Sequence, residues 1–354
     1  MWESRKSPVS YEKNIYMPYI LNVSLLKLGD IILVGYNDPD SREIQQRTQS
    51  LYSHAMLYWH GSVIHAADIV ITENPSRMLF EEDESVCVLR LKPEYWNSMR
   101  IEALIDYART FVGTFYDKRA LNAMRDGKNV QPKENRQMCA RFVAQCYDYV
   151  CLDLVDGDYE LCTPQDIYNS KIMIRVEPFL FQATPDDIEF AKGYDVTQLQ
   201  YKSIKVFLLS LKRKFPEEDI VSLNQLEEFI EHNPVYGDCA LKLLEQTQYF
   251  DLWRKEKKYC PYNYDPDAFK KKWKDKAVNQ TLAIVKDGKR IIEEKQRDIL
   301  AYENKISTIG FIEYYRQMID LRNNIIETAK ERIAVAEQVL TDYQVVKIKF
   351  PWCQ

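Results

Sequence analysis

Residues 53–67 run SHAMLYWHGSVIHAA, and the fold turns on them. Residues 55–59 and 63–67 are short runs rich in apolar and aromatic side chains, parted by His60-Gly61-Ser62, which is the pattern of two strands joined by a tight hairpin. A two-residue turn at His60-Gly61, or a four-residue loop around it, pairs position 54 with 67 and 56 with 65. Side chains alternate between faces of a strand, so His54 and His65 then share one face as diagonal neighbours.

Outward from this hairpin, residues 31–36 (IILVGY) read as a compact apolar strand after Leu28-Gly29-Asp30, and 37–50 as a polar loop or short helix. Residues 85–91 (SVCVLRL) form another strand, closed by Lys92-Pro93. A helix is expected over 96–111, ended by Gly113, and a second over 137–151. A last strand at 172–176 is followed by Pro178.

Near residue 180 the pattern changes to helix almost throughout. Three or so short helices, divided at Pro216 and Asn233-Pro234, are expected over 195–259, then an aromatic loop, YCPYNYDP, at 259–266. Val285, Ile292, Ile299 and Ile306 recur every seven residues, as do Ile312, Ile319, Ile326, Ile333 and Leu340. The phase slips at Ser307, Thr308 and Gly310, so two long helices in an antiparallel hairpin account for the repeat. Such a hairpin is more simply a structural arm than a dimerisation zipper. The basic clusters 212–214, 254–258 and 270–276 read as solvated helix faces.

The 354 residues carry 48 Lys+Arg against 53 Asp+Glu, a formal charge of -5, which excludes a basic nucleic-acid coat. Length allows about two domains. The eight cysteines include no C-x-x-C pair or His spacing that suggests zinc, and they read as reduced thiols of a cytosolic protein. Pro18 and Asn22 interrupt the apolar N-terminal stretch and no small-residue cleavage site follows, so a signal peptide is not expected. No apolar run approaches the ~20 residues that span a bilayer. Cys353, second from the end, is wrongly placed for prenylation.

Only four histidines are present, and three fall within residues 54–65. A nucleophile to work with them must come from elsewhere. Cys139 opens the helical stretch MCARFVAQCYDYVC, where unpaired backbone N–H groups favour a thiolate and offer donors to an oxyanion. The stripe Cys139, Phe142, Val143, Cys146, Val150 turns it toward the sheet. Cys146 and Cys151 lie mid-helix and at the helix end, where neither effect acts. Against this stands the plain alternative that a free cysteine is usually a buried, inert hydrophobe. His60 is expected in solvent at the turn, and His232 as a helix-end residue.

Ser53-His54-Ala55-Met56-Leu57-Tyr58, then Val63-Ile64-His65-Ala66, Gly113-x-x-Tyr116-Asp117, Cys139 at a helix start, and Thr163-Pro164-Gln165-Asp166-Ile167 follow one another in an order that resembles the circularly permuted NlpC-type papain-like hydrolases. The YiiX/YebB-like branch is most similar, and lecithin:retinol acyltransferase-like enzymes are more distant. The leading L-x-x-G-D-I-I-L, Leu26 to Leu33, resembles the family too, and the likeness covers about residues 25 to 180.

The resemblance implies an α+β fold: a permuted papain-like domain with an antiparallel sheet packed on helices, followed here by an all-helical region ending in the long antiparallel hairpin. The chain divides accordingly into an N-terminal extension (1–24), the hydrolase domain (25–185), a helical region (186–265), the hairpin (266–344) and a tail (345–354). It implies Cys139 as nucleophile, His54 as general base and acid, and His65 as the polar residue that orients His54. Tyr116, Asp117 and Ser53 become candidates for the substrate pocket, with a loop anchor the equal alternative for Tyr116 and Asp117. Where relatives often carry Ser then Glu after the cysteine, this chain has Ala140-Arg141, which leaves the pocket's polarity open.

The expected function is a cysteine hydrolase that cleaves a peptide, amide, ester or thioester bond through an acyl-enzyme, with no metal or organic cofactor. The substrate is a peptide, an amide or an acyl-lipid. Transfer of the acyl group to an amine or lipid is the runner-up. A catalytically dead binding module whose hairpin engages a protein partner is the third, although such a module has no need of Cys139, His54 and His65 together. No nucleic acid and no transmembrane segment are expected, and delivery outside the cell stays open.

Overall fold

The computed structural model describes residues 17–81, 86–125, 133, 135–177, 179–274 and 277–349. Expectations placed on residues 1–16, Ser85, Gln131, Pro178, Lys276 and the terminal FPWCQ with Cys353 lie outside the described residues.

The first half is built on two antiparallel sheets. Strands β1 (Tyr19–Leu21), β6 (Leu79–Phe80) and β9 (Leu180–Gln182) form a small sheet in the order β6-β1-β9. The main sheet takes β2 (Ile31–Val34), β3 (His54–Trp59), β4 (Ser62–Ala66), β5 (Val70–Glu73), β7 (Val86–Leu91) and β8 (Met173–Arg175), in the order β5-β4-β3-β2-β7-β8. Leu57 pairs with Ile64 and Trp59 with Ser62, so the turn is the two-residue His60-Gly61. Both turn residues take positive φ, 39° and 80°, the twist that a tight hairpin demands.

The connecting helices are α1 (Pro39–Thr48), α2 (Ser98–Thr110), α3 (Lys118–Arg125), α4 (Cys139–Tyr149) and α5 (Pro164–Tyr168). Odd positions of β2 and β3 and even positions of β4 meet α2 and α4 in one core that joins Ile31, Leu33, Ala55, Leu57 and Ile64 to Ile101, Ile105, Phe142 and Val143. The alternate positions Ile32, Val34, Met56 and Val63 pack toward the small sheet with Phe80 and Phe179. Each such side chain, fully buried, contributes about 1.5–3 kcal/mol. Asp30 lies just before β2, an interior strand. It is 1% exposed, accepts Arg90 Nε and Nη2 at 2.8 and 2.6 Å, and accepts the Lys27 N–H at 2.8 Å.

Gly35, just after β2, has no room for a side chain: a Cβ would stand 1.9 Å from the Leu51 carbonyl oxygen and 2.4 Å from Gln45 Nε2. Gly35→Ala must therefore push the 49–53 segment off the strand end. We expect a stability loss of about 2–3 kcal/mol, in line with overpacking against rigid backbone, read as a lower urea midpoint. An unchanged midpoint would refute the close approach.

The second half is helical: α6 (Pro185–Lys192), α7 (Val196–Lys214), α8 (Leu223–His232), α9 (Gly237–Glu245), α10 (Leu252–Tyr259), α11 (Pro266–Trp273), α12 (Ala277–Ile309) and α13 (Glu313–Lys349). The short-helix region holds more helices than the sequence suggests, because α9 and α10 also part at residues 246–251. The hairpin turns at Gly310, in the left-handed region at φ 93°. Ile312 and Ile326 of the seven-residue series are buried, but on α12 the buried positions are Ala277, Thr281, Gly288, Glu294 and Tyr302, and the aliphatic series is only half-buried. Gly288 lets the helices approach, since a Cβ there would lie 2.7 Å from Ile333.

Among the contacts that join the halves, two are apolar or aromatic. Helix α7 covers the edge strand β5, burying Ile204, Phe207, Leu208 and Leu211 with Ile69 and Ile71. Trp59 lies between the guanidinium groups of Arg109 and Arg290, at 4.8 and 4.3 Å from its ring centre. Both arginines pair with Glu294, which explains a buried carboxylate on α12. The hairpin turn thus docks on α12, and His60 is half-buried beside Arg290 and Lys286 instead of facing solvent. Among the described residues no helix is long and apolar enough to cross a membrane.

Candidate active site

The β3–β4 register sets His54 and His65 diagonally on one face, and their rings meet: His54 Nε2 lies 2.7 Å from His65 Nδ1, with ring planes at 85°. The file continues onto β5. His65 Nε2 is 3.2 Å from Glu73 Oε2, a second diagonal step, because Glu73 pairs with Val63 and His65 with Ile71.

The proton positions follow from Glu73. Burial works to raise its pKa, but the hydrogen bonds from His65 and Gln198 outweigh burial and hold the carboxyl below its ordinary range, so Glu73 is ionised at neutral pH. A carboxylate only accepts, so a neutral His65 carries its hydrogen on Nε2 and its Nδ1 accepts from His54 Nε2–H. His54 is then left with a free lone pair on Nδ1.

Cys139 is the first residue of α4 and only 6% exposed. Its Sγ lies 3.8 Å from the Ser53 carbonyl oxygen, and the N–H groups of Ala55 and Ala140 point at the sulfur. The thiol is therefore held against the backbone on either side of His54. Tyr116 reaches the same point because residues 113–117 thread between β5 and the approach to α4: Gly113 N–H donates to Val70 O at 2.8 Å, and Gln137 N–H donates to Phe115 O at 3.0 Å. The Tyr116 hydroxyl stands close enough to Cys139 for the two groups to shift one another's titration.

Burial pushes the Cys139 thiol up, against the opposing pull of those N–H groups and of Tyr116. Burial, and then the neighbouring His65 ring, push His54 well below its ordinary 6.5. At rest, thiol and imidazole are thus both neutral.

Of the pocket candidates, Ser53 turns its hydroxyl to Val34 O at 3.4 Å and brings its carbonyl to the cysteine. Asp117 spends its carboxylate on Ala120 N–H and Lys133 N–H, at 3.0 and 2.8 Å, so it anchors the turn and α3. Arg141, the unusual residue after the cysteine, is 2% exposed and points away from the thiol: Nη1 donates to Arg136 O at 2.7 Å and Nε lies 2.7 Å from Glu160. It braces the loop. His232 is exposed at the end of α8, with Nδ1 2.8 Å from Glu228 O.

Sequence reasoning missed Glu73 and Tyr36. The Tyr36 ring stands 6.2 Å from that of His54 and borders a surface cavity of about 490 Å³ lined also by Asn37, Asp38, Arg42, Leu79, Phe80 and Glu81. The exposed strand-end Tyr36 gave a weak signal in the sequence; Glu73 gave none. Among the described residues no three His, Cys, Asp or Glu are grouped to hold a metal ion.

His54 and His60 make the fold sensitive to acid. Burial, and then Arg290 and Lys286, lower His60 to about 4. Both rings stay neutral in the folded chain while the unfolded chain takes up protons below about 6.5, so their stabilisation is present above that pH and is lost as pH falls through the folded values. The melting temperature should drop between pH 7.5 and 5, and His60→Gln should narrow the drop. Equal melting at both pH values would refute this.

Residues 25–182 match the sequence model of the permuted papain-like amidase enzymes, YaeF/YiiX, the C92 family. The solved structure of the metalloprotein YiiX from Escherichia coli O157:H7 is similar over 45% of this chain and 98% of that one, with 16% identity and a TM-score of 0.33. Comparison with the curated proteins gives no match. Over residues 25–182, then, the chain is similar to the permuted papain-like amidases of the YaeF/YiiX family.

Proposed function

We propose that the protein is a cysteine hydrolase in which Cys139 and His54 form and break an acyl-enzyme. Residues 25–185 are taken as the catalytic unit. The observation that carries this is the thiol at a helix start, held against the backbone flanking a histidine whose Nε2 is bonded to His65 at 2.7 Å.

In the acylation step Sγ bonds to the substrate carbonyl carbon while the thiol proton passes to His54 Nδ1. The carbonyl oxygen takes negative charge near the N–H groups that open α4. His54 then gives its proton to the leaving amine, alcohol or thiol as that bond breaks. Water attacks the thioester, its proton goes to His54, and the proton returns to Sγ as the acid leaves. His65 keeps the His54 lone pair on Nδ1, the task of an orienting third residue. The cavity beside Tyr36 is the side from which substrate approaches.

Mass spectrometry tests this. Incubation with cell extract and an acid quench should leave an acyl mass on the Cys139 peptide, and that mass names the acyl group. The adduct should be missing in Cys139→Ala. Acyl mass found only on other residues would overturn the assignment.

A further inference from the structure

The geometry points to Gln198 of helix α7, acting with Glu73, as a positioning pair that makes the helical half part of the catalytic apparatus; this rests on the Cys139–His54 reading above. Gln198 Nε2 donates to Glu73 Oε1, leaving Oε2 for His65. The file His54, His65, Glu73, Gln198 therefore begins between the two residues whose backbone meets the thiol and ends beyond residue 182, where the family match stops.

Two anchors hold α7 in register on β5. On the N-terminal side, the Arg77 guanidinium donates to Phe190 O, Gly193 O and Tyr194 O at 2.5, 3.3 and 2.8 Å, faces the Asp195 carboxylate that caps α7, and stacks on Phe190 at 4.1 Å. On the other side, Tyr201 and Lys205 both reach Asp68 in the β4–β5 turn. Gln198, Tyr201 and Lys205 are spaced by three and four residues and share one helix face. The amide of Gln198 is thus delivered to the carboxylate by the docked helix.

Glu73 is ionised and accepting, which sets the hydrogens of both imidazoles. An amide or an unheld carboxyl at position 73 permits the reversed set, in which His65 Nδ1–H donates to His54 Nε2 and the hydrogen of His54 moves to Nδ1. That tautomer cannot take a proton from the thiol. Gln198 acts one step back, by fixing which oxygen meets His65. The other titratable groups around the file are Tyr36, Tyr116, Cys139 and Cys162, and none of them replaces the carboxylate.

The test is the pH profile, from 5 to 9, of Cys139 alkylation by iodoacetamide in the full chain, with exposed Cys151 as internal reference. Glu73→Gln should slow Cys139 by about 10- to 100-fold at pH 7, reaching at most the lower end of the roughly 10²–10⁴-fold that a general base contributes, and Gln198→Leu by about 3- to 10-fold. Gln198→Glu sets a second carboxyl against Glu73, so the two share a proton and the profile gains a step that a packing defect would not produce. Asp68→Asn, which loosens α7 without touching Glu73, should leave the shape of the profile unchanged. Cys139 reacting fast in the wild type, with Glu73→Gln and both Gln198 variants superimposed on it, overturns the positioning pair and spares the nucleophile. Slow Cys139 in the wild type itself overturns the underlying reading instead. Melting curves accompany each variant, and the isosteric Glu73→Gln and Gln198→Glu keep the test valid if Gln198→Leu does not fold.

Discussion

Cys139→Ala and His54→Ala should each lower kcat/KM for p-nitrophenyl acetate by about 10³-fold or more, the scale seen when nucleophile or base is removed from a cooperating pair. The wild type should release a burst of one p-nitrophenol per chain before steady turnover, because acylation splits from deacylation. The pH profile carries a sign. His54 must be neutral to accept the thiol proton, and burial beside His65 lowers its pKa well below 6.5. Activity should therefore persist as pH falls through 6.5, with the acid limb lying below that value. A limb at or above 6.5 would contradict the buried imidazole, and a Cys139→Ala variant with full turnover would contradict the nucleophile.

Arg141→Met should cost about 3 kcal/mol of stability, near the low end for breaking a buried ion pair because Glu160 keeps some solvent. The loss has two parts. Glu160 forfeits its partner, and the Arg136 carbonyl oxygen, 2.7 Å from the guanidinium, loses its donor. Met fills much of the volume, so the measurement reports polar interactions more than a cavity. The loop braced by Arg141 leads through Gln137, which bonds the Phe115 carbonyl that precedes Tyr116. Slower Cys139 chemistry should accompany the lower denaturant midpoint. A midpoint equal to that of the wild type would mean the guanidinium contributes nothing net to the fold.

Much of the site was legible because its first contact is local. A two-residue turn fixes the register of β3 on β4, and register alone places His54 beside His65. Glu73 was hidden for the opposite reason: β5 follows an irregular turn through Asp68, and its pairing depends on burial of Ile69 and Ile71 under α7, more than 130 residues later in the chain. Gln198 was further out of reach, being one polar residue in an amphipathic helix until the Arg77 clamp sets that helix on the strand. The seven-residue repeat identified the long hairpin, yet buried Glu294 broke the expected seam, since its partners Arg109 and Arg290 come from two different helices. His60 was expected in solvent because turn residues usually are; Trp59 draws the turn onto α12.

The competition between Cys139 and Cys151 for iodoacetamide at pH 7 tests the central claim most directly, because accessibility and activation predict opposite orders. Cys151 is exposed and Cys139 is buried. If His54 takes the proton from Cys139, the buried thiol alkylates faster than the exposed one in the wild type, and the order reverses in His54→Ala. If Cys139 is only a core cysteine, it is the slower of the two in both proteins.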